Sequence, residues 1–381
     1  MVTIAVTAEG ADEPRVAISP ETVKKLTALG CKVRIEAGAG ARSRFSDEVL
    51  KAQGAEIASS TTDALRSADV LLKVGRPGVE EVKGLKPGAV VAAMLDPYGE
   101  RAGLDALAAT NVALFSMEFM PRITRAQSMD VLSSQANLAG YKAVVDAAAM
   151  FDQAMPMMMT AAGTVPAAKA FIMGVGVAGL QAIATARRMG AQVTATDVRP
   201  ATKEQVASLG AKFVAVEDDE FKQAQTEAGY AKPMSAEYQK KQAELVASHI
   251  QNQDIVITTA LIPGRPAPRL ITRTMVESMK SGAIIVDLAA ERGGNCELTE
   301  PGKVVEHNGV RIFGPLNLAG EIPVNASSLY ARNLLAFLDI MIDKTEKVLK
   351  VDWDDEIIRG TLVAKDGKIV HPNLQPQGAA Q

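Results

Sequence analysis

The chain has 381 residues, more than one hydrophobic core usually serves, so two domains are expected. Apolar residues make up 48% of it and aromatic residues only 4%, the composition of helices packed closely on sheets. A formal charge of −3 gives no basic footprint for nucleic acid or an anionic membrane, and the two cysteines, Cys31 and Cys296, form no CxxC or metal-ligand spacing and suit a reducing compartment.

In chain order, "MVTIAV" enters a strand without a basic leader, which points to a cytoplasmic chain. In "SPETVKKLTALG" Ser19 is the expected N-cap, Pro20 the first helical residue and Gly30 the stop. Strands follow at "CKVRIEAG", "DVLLKV", "GAVVAAML" and "VALFSME", with helices at "SDEVLKAQG", "TTDALRSA" and "GLDALAATN"; such alternation builds a parallel sheet. Residues 127–153 keep helical spacing through Met129, Leu132, Ala136 and Ala139 and form a natural bridge to a second domain.

From residue 170 the alternation resumes with strand "AFIMGV", helix 177–189, strand "AQVTATD", helix "ATKEQVASLG" and strand "AKFVAV". A charged segment, 217–247, interrupts it before "DIVITTAL", "TRTMVESMK", "GAIIVDLA" and "VRIFG". Residues 327–343 read as a second long helix leading back to the first domain, and "IIRGTLVAKDGKIV" reads as strand, Asp366-Gly367 turn and strand, followed by a loose tail. The expectation is an α/β protein of two domains with parallel sheets, one a Rossmann dinucleotide-binding domain, joined by long helices. Its parts are 1–126 with 340–381, a linking helix 127–153, a nucleotide domain 154–326 and a return helix 327–343.

The apolar stretch 168–186 approaches the length of a membrane span, but Lys169 and Gln181 interrupt it and glycines cluster in its middle. Those glycines belong to "GVGVAG", a GxGxxG element between a strand and a helix, with Asp197 ending the next strand where an acid meets a ribose 2′-hydroxyl. Gly174 permits the tight turn, Gly176 lets pyrophosphate approach the backbone, and Gly179 lets helix and strand pack closely. The helix N-terminus adds amide donors and the positive end of its dipole. Asp197 repels the 2′-phosphate of NADP and so favours NAD, while Arg199 works against that repulsion.

Oxidation of an alcohol or amine needs a group to take a proton, usually His or Lys. Of the three histidines, His249 lies in a helix pattern, His307 in a polar turn and His371 near the tail, none beside the fingerprint; Lys73, at a strand end, stays a candidate. Hydride passing directly between two nicotinamides has no such need, only alignment, close approach and a dry site.

The strings "PRITRAQSMDVLSSQANLAGY", "MMMTAAGTVPAAK", "GVGVAGLQAIATARRMGA", "TTALIPGRPAP" and "VDLAAERGGNCELTEPG" together resemble the NAD(H)-binding component of proton-translocating nicotinamide nucleotide transhydrogenase, over nearly the whole chain. The resemblance implies a homodimer, peripheral at the cytoplasmic face of the inner membrane, with NAD(H) in the cleft between two α/β domains. It implies hydride exchange with NADP(H) on a partner component, coupled to proton movement by a membrane-spanning component. Arg122, Gln127, Asp130 and Ser133 are then expected around the carboxamide and ribose of the nicotinamide end, Gln127 nearest to hydride transfer. Segment 217–247 becomes a mobile loop, hinged at Gly229, that closes over NAD(H) with Tyr230 and Met234 contacting the nucleotide and so helps to exclude water from the reacting rings. Arg125, the fingerprint residues Gly174, Gly176, Val177, Ala178 and Gly179, then Asp197, Val198, Arg199 and Leu261 complete the implied cofactor contacts, Leu261 against adenine or ribose.

Two alternatives stay open. An alanine dehydrogenase has the same two-domain plan; there, residues matching Arg15 and Lys73 bind substrate, and a catalytic histidine falls where this sequence has Met94 or its neighbours. An NAD(H)-sensing module is the other. The C-terminal hairpin is a candidate for exchange between protomers.

Overall fold

A computed structural model describes residues 1–224 and 234–375. The chain divides into two compact units, Met1–Gln135 with Ala319–Gln381, and Ala136–Leu318. Both are α/β, as the alternation of strand and helix patterns implied.

The first unit is built on an eight-stranded sheet in the order Lys368–Ile369, Leu362–Lys365, Ala113–Ser116, Val90–Ala93, Val70–Leu72, Thr3–Val6, Lys32–Glu36 and Glu56–Ala58. All pairings are parallel except those of the two C-terminal strands. Every residue of Val70–Leu72, Val90–Ala93 and Ala113–Ser116 is buried, the pattern of a parallel sheet covered on both faces. Val70, Leu72, Val90 and Phe115 join one core with Tyr330 and Phe337 of the helix Pro323–Asp339. Leu71, Val91 and Leu114 point the other way, onto Leu104 and Leu107 of the helix Arg101–Ala108.

Local signals set the helix ends. Ser19 caps Pro20–Ala28 by accepting the Thr22 amide, Thr22 returns the bond, and Gly30 follows at φ +83°. The helix expected over 127–153 is shorter: Thr124–Met129 is a 3₁₀ turn, Asp130 is extended at φ −75° and ψ 94°, and the α-helix runs Val131–Met150. The return helix, expected over 327–343, runs Pro323–Asp339, because Pro323 suits the first turn and Ile342–Asp343 is drawn into a hairpin with Val348–Leu349.

The C-terminal segment corrects one expectation. Glu356–Thr361 is helical, not strand, because the Asp355 carboxylate accepts the amides of Ile357 and Ile358 and starts a helix. The hairpin itself, Leu362–Lys365 and Lys368–Ile369, turns at Asp366-Gly367 with both φ positive, and it pairs with the chain's own Ala113–Ser116. Six strands escaped the sequence, Glu56–Ala58, Val304–His307, the hairpin of Met158–Thr160 with Gly163–Val165 and that of Ile342–Asp343 with Val348–Leu349, each of at most four residues and too short to show a period. The second places His307 at a strand end rather than in the turn that follows it.

The second unit holds a seven-stranded sheet in the order Lys212–Phe213, Gln192–Thr196, Lys169–Met173, Ile255–Thr258, Ile284–Asp287, Val310–Phe313 and Val304–His307, only the last pairing being antiparallel. The order reverses at Lys169–Met173, the topological switch point of a doubly wound fold, where ligands bind beyond the carboxyl ends of the strands. Ala170, Ile172, Val193 and Ile257 face one core with Ile183 and Ala186 of the helix Val177–Arg188. Phe171, Val256 and Ile285 face another with Val246 and Ile250 of the helix Ala236–Ile250.

The stretch 168–186 is strand, turn and helix, and no helix among the described residues is long and apolar enough to cross a membrane. Cys31 and Cys296 are both buried thiols.

Gly140 of the helix Val131–Met150 lies directly on the start of Val177–Arg188: a Cβ there would stand 2.1 Å from the Ala178 carbonyl oxygen. Gly140→Ala is therefore expected to cost about 1–3 kcal/mol by forcing backbone apart, measured by denaturant unfolding of the second unit.

Candidate functional site

At the end of Lys169–Met173 the chain turns through Gly174 at φ +103°, a conformation that favours glycine. Thr259, at the end of the neighbouring strand, donates its hydroxyl to the Gly174 carbonyl at 3.0 Å, and a Cβ on Gly174 would stand 2.6 Å from that hydroxyl. A Cβ on Gly179 would stand 1.9 Å from the Gly174 oxygen, so helix and turn are in direct backbone contact. Gly176 differs: a Cβ there meets nothing within 4 Å. It is the N-cap of Val177–Arg188 and provides no side-chain cap, so the first amides, at Val177 and Ala178, start the helix without one. By contrast Ser19, Thr272 and Asp355 cap their helices. Open space beside uncapped helix amides fits the pyrophosphate of a dinucleotide.

Asp197 ties the next strand to this turn. Its Oδ2 accepts the Val175 amide at 2.7 Å and Arg199 Nη2 at 2.8 Å, while its Oδ1 accepts the Arg199 amide and Nε. The hydrogen bonds to Asp197 hold the Arg199 guanidinium above its ordinary value. Val177, Val198 and Leu261 are exposed at this carboxyl edge, an apolar rim. The Met234 carbonyl accepts Gln239 Nε2, and Ser235 caps Ala236–Ile250. Gly229 and Tyr230 lie outside the described residues.

Sequence reasoning missed the groups that hold the loops of this edge. Asn295 Nδ2 donates to the carbonyls of Ala260 and Pro268, and its Oδ1 accepts the Ala260 amide, pinning the proline-rich loop. Asp287, fully buried, accepts the hydroxyls of Thr258 and Thr299 and the amides of Ala289 and Cys296. The acid ending the "GAIIVDLA" strand was the available signal.

In the first unit, Asp130 caps the helix Val131–Met150: its Oδ1 accepts the Ser133 amide at 2.9 Å and its Oδ2 the Ser133 hydroxyl at 2.5 Å. Gln127 and Arg122 are exposed on the preceding segment. Of the expected group of four, Asp130 and Ser133 are thus joined directly. Arg125 turns instead to Asp355, 2.7 Å away, and that bond holds the Asp355 carboxyl below its usual range. Asn333 steadies the 3₁₀ turn, donating to the Ser128 carbonyl and accepting the Ser134 hydroxyl.

The two cations of the rival reading are already engaged. Lys73 Nζ lies 3.5 Å from Glu9 and 3.4 Å from Glu81 and donates to Thr7 Oγ1 and the Ala8 carbonyl. Arg15 pairs with Glu13 at 2.6 Å and donates to Gln135. Burial holds the Glu9 carboxyl above its usual value, against the pull of Lys73. Met94 follows Val90–Ala93 and is half-buried.

The histidines have other partners: His249 bonds Thr194 Oγ1 and meets Phe171 edge-on, His307 bonds Glu277, and His371 bonds the Gly360 carbonyl and stacks on Phe119. Burial lowers the pKa of His249 and of His371, which favours neutral rings.

The chain matches the alanine dehydrogenase/PNT N-terminal domain over residues 5–139 and the corresponding C-terminal domain over 143–372. It is 55% identical over 372 residues to the first part of NAD(P) transhydrogenase subunit alpha of Rhodospirillum rubrum, an alignment covering 96% of this chain and 97% of that one. A solved transhydrogenase structure from Sinorhizobium meliloti is 57% identical, with a TM-score of 0.88 over 97% of this chain and 100% of that one. A solved L-alanine dehydrogenase superposes with a TM-score of 0.81 over 98% of each chain at 24% identity, a likeness of fold.

Thr259→Val removes the donor to Gly174 and is expected to weaken NADH binding about fivefold, the worth of one neutral hydrogen bond, whereas Thr259→Ser retains wild-type affinity. Fluorescence titration checks this; equal affinities in the two variants would mean that the hydroxyl does not hold the turn.

Proposed function

The chain belongs to the alanine dehydrogenase/PNT family, among the NAD(P) transhydrogenase alpha subunits, and we propose that it is the NAD(H)-binding component of a proton-translocating transhydrogenase. In this reading it passes hydride directly between NAD(H) and NADP(H) held on a partner component, and a membrane-spanning component couples that transfer to proton movement. The Rhodospirillum rubrum relative is named as only the first part of its alpha subunit, which presupposes a further part and supports separate partners. We assign the chain a homodimeric state and a peripheral place at the cytoplasmic face of the inner membrane.

The observation that carries the reading is the engagement of Arg15 and Lys73. A dehydrogenase of amino acids needs cations to hold the substrate carboxylate and a group to take the amine proton. Here both buried cations are neutralised by Glu13, Glu9 and Glu81, and Met94 offers no proton acceptor. Among the described residues that leaves a fold able to hold a dinucleotide with its candidate cations already engaged, which suffices when both donor and acceptor are nicotinamides.

Bound NAD(H) supplies the hydride chemistry. Gly174 makes the tight turn and Gly176 leaves it open to pyrophosphate, and the amides from Val177 onward donate to its oxygens. Val198 and Leu261 offer apolar surface to the adenosine half, and Met234, from the segment before the Ala236–Ile250 helix, is assigned to the nucleotide. Asp130, held by Ser133, and the exposed Gln127 and Arg122 provide polar groups for the carboxamide and ribose of the nicotinamide end.

Purified chain mixed with the NADP(H)-binding and membrane components from its source is expected to support rapid NADPH-driven reduction of an NAD analogue. Gln127→Asn is expected to slow that turnover far more than it weakens NADH binding; equal losses would remove Gln127 from the transfer step. The purified chain alone, given NADH, pyruvate and ammonium, is expected to oxidise no NADH, and steady oxidation would restore the alanine dehydrogenase reading.

A further inference from the structure

In a dinucleotide fold, the acid ending the second strand is the group that the adenosine ribose meets. Here that acid is covered. The Asp197 side chain is 6% exposed and that of Arg199 30%. A carboxylate has about four lone-pair sites. The protein itself fills as many: the Val175 amide and Arg199 Nη2 on Oδ2, and the Arg199 amide and Nε on Oδ1. The more exposed group of the pair is thus the guanidinium, whose Nη1 meets no protein acceptor among the described residues. Its backbone is fixed as well, since the Thr202 amide and hydroxyl both donate to the Arg199 carbonyl at the start of Thr202–Ser208.

We propose that Asp197 and Arg199 form the coenzyme-specificity device of this chain, a ready-built site for a 2′-phosphate that one buried carboxylate switches off. The proposal rests on the NAD(H) reading above and says how that choice is made. A 2′-phosphate brings nearly two negative charges to a pair that is already neutral, and Arg199 cannot fork onto the phosphate without leaving Asp197 buried and uncompensated. A neutral ribose hydroxyl carries no such penalty and needs only one of the four donors to yield its place. The usual route from NAD to NADP preference has two parts, loss of the acid and gain of a cation at a matching position. Here the cation is in place, two residues from the acid, so removal of the acid is enough. The device suits a chain whose reaction partner carries NADP(H), because a site that accepted both nucleotides would let hydride return to the pool from which it came.

The test titrates the full chain with NADH and with NADPH, followed by nicotinamide fluorescence, in the wild type and in the variants Asp197→Asn, Asp197→Ser, Arg199→Met and Asp197→Asn combined with Arg199→Met. Asparagine keeps an oxygen for the Val175 amide but turns away the Arg199 fork. The wild type is expected to prefer NADH. Asp197→Asn is expected to bind NADPH about tenfold or more tightly than the wild type does, the worth of a charge-assisted fork, and to lose affinity for NADH. Combining it with Arg199→Met is expected to abolish the NADPH gain, and Arg199→Met alone to weaken NADPH further. Two results overturn the proposal: no NADPH gain in Asp197→Asn or Asp197→Ser, whichever folds with a wild-type circular dichroism spectrum, or a gain that survives Arg199→Met. A wild type that binds neither nucleotide, or prefers NADPH, overturns the NAD(H) reading itself.

Discussion

The contact between Gly179 and the Gly174 carbonyl is the constraint on which the second unit depends, since a single methyl on Gly179 would stand 1.9 Å from that oxygen. So close an approach brings the helix Val177–Arg188 down onto the strand Lys169–Met173 and aims its first amides at the space beside Gly176. Three further groups hold the turn in this shape. Gly174 supplies the positive φ, Thr259 bonds its carbonyl from one neighbouring strand, and Asp197 bonds the Val175 amide from the other. The switch point of the sheet is therefore also where both flanking strands fasten the glycine-rich turn.

Polar groups do similar work wherever a loop leaves the sheet. Asn295 closes on Ala260 and Pro268, Asp287 gathers four donors, and Asn333 and Gln135 hold the segment around the 3₁₀ turn. Each is buried or nearly so, where an unbonded amide or carboxylate is costly, and each is satisfied by backbone or hydroxyl partners, with the Arg15 guanidinium added at Gln135. Such loops hold one shape without the packing that fixes a strand, and it is the loop ends that carry the candidate site.

Charge is handled differently in the two units. In the first, Arg15 and Lys73 are buried beside the carboxylates of Glu13, Glu9 and Glu81. In the second, Arg199 is paired with Asp197 but stays partly open to water. The buried cations of one unit are thus held by the protein's own carboxylates, while the guanidinium of the other keeps a face toward water.

The order of strands and helices was legible in the amino-acid sequence because it rests on local effects: apolar runs for buried strands, Ser19 and Pro20 for a helix start, glycines for the phosphate turn, Asp366-Gly367 for the hairpin. Glu56–Ala58 and Val304–His307 were not legible, being short edge strands that exist only because a neighbour offers its free hydrogen bonds. Glu356–Thr361 was misread because its β-branched residues look like strand until the Asp355 cap is counted. Long-range pairing was closed to the sequence altogether. Nothing in the spacing joins Arg125 to Asp355, Asn333 to Ser128, or Thr259 to Gly174, since each pair lies 85 or more positions apart. Even Asp197 and Arg199, two positions apart, did not show which of them faces outward. Local sequence determined which elements form and where the glycine-rich turn lies, because turns and caps are decided within a few residues. Only the tertiary structure decided which charges are spent inside the protein and which remain for a ligand, because burial and pairing depend on neighbours brought together by the fold.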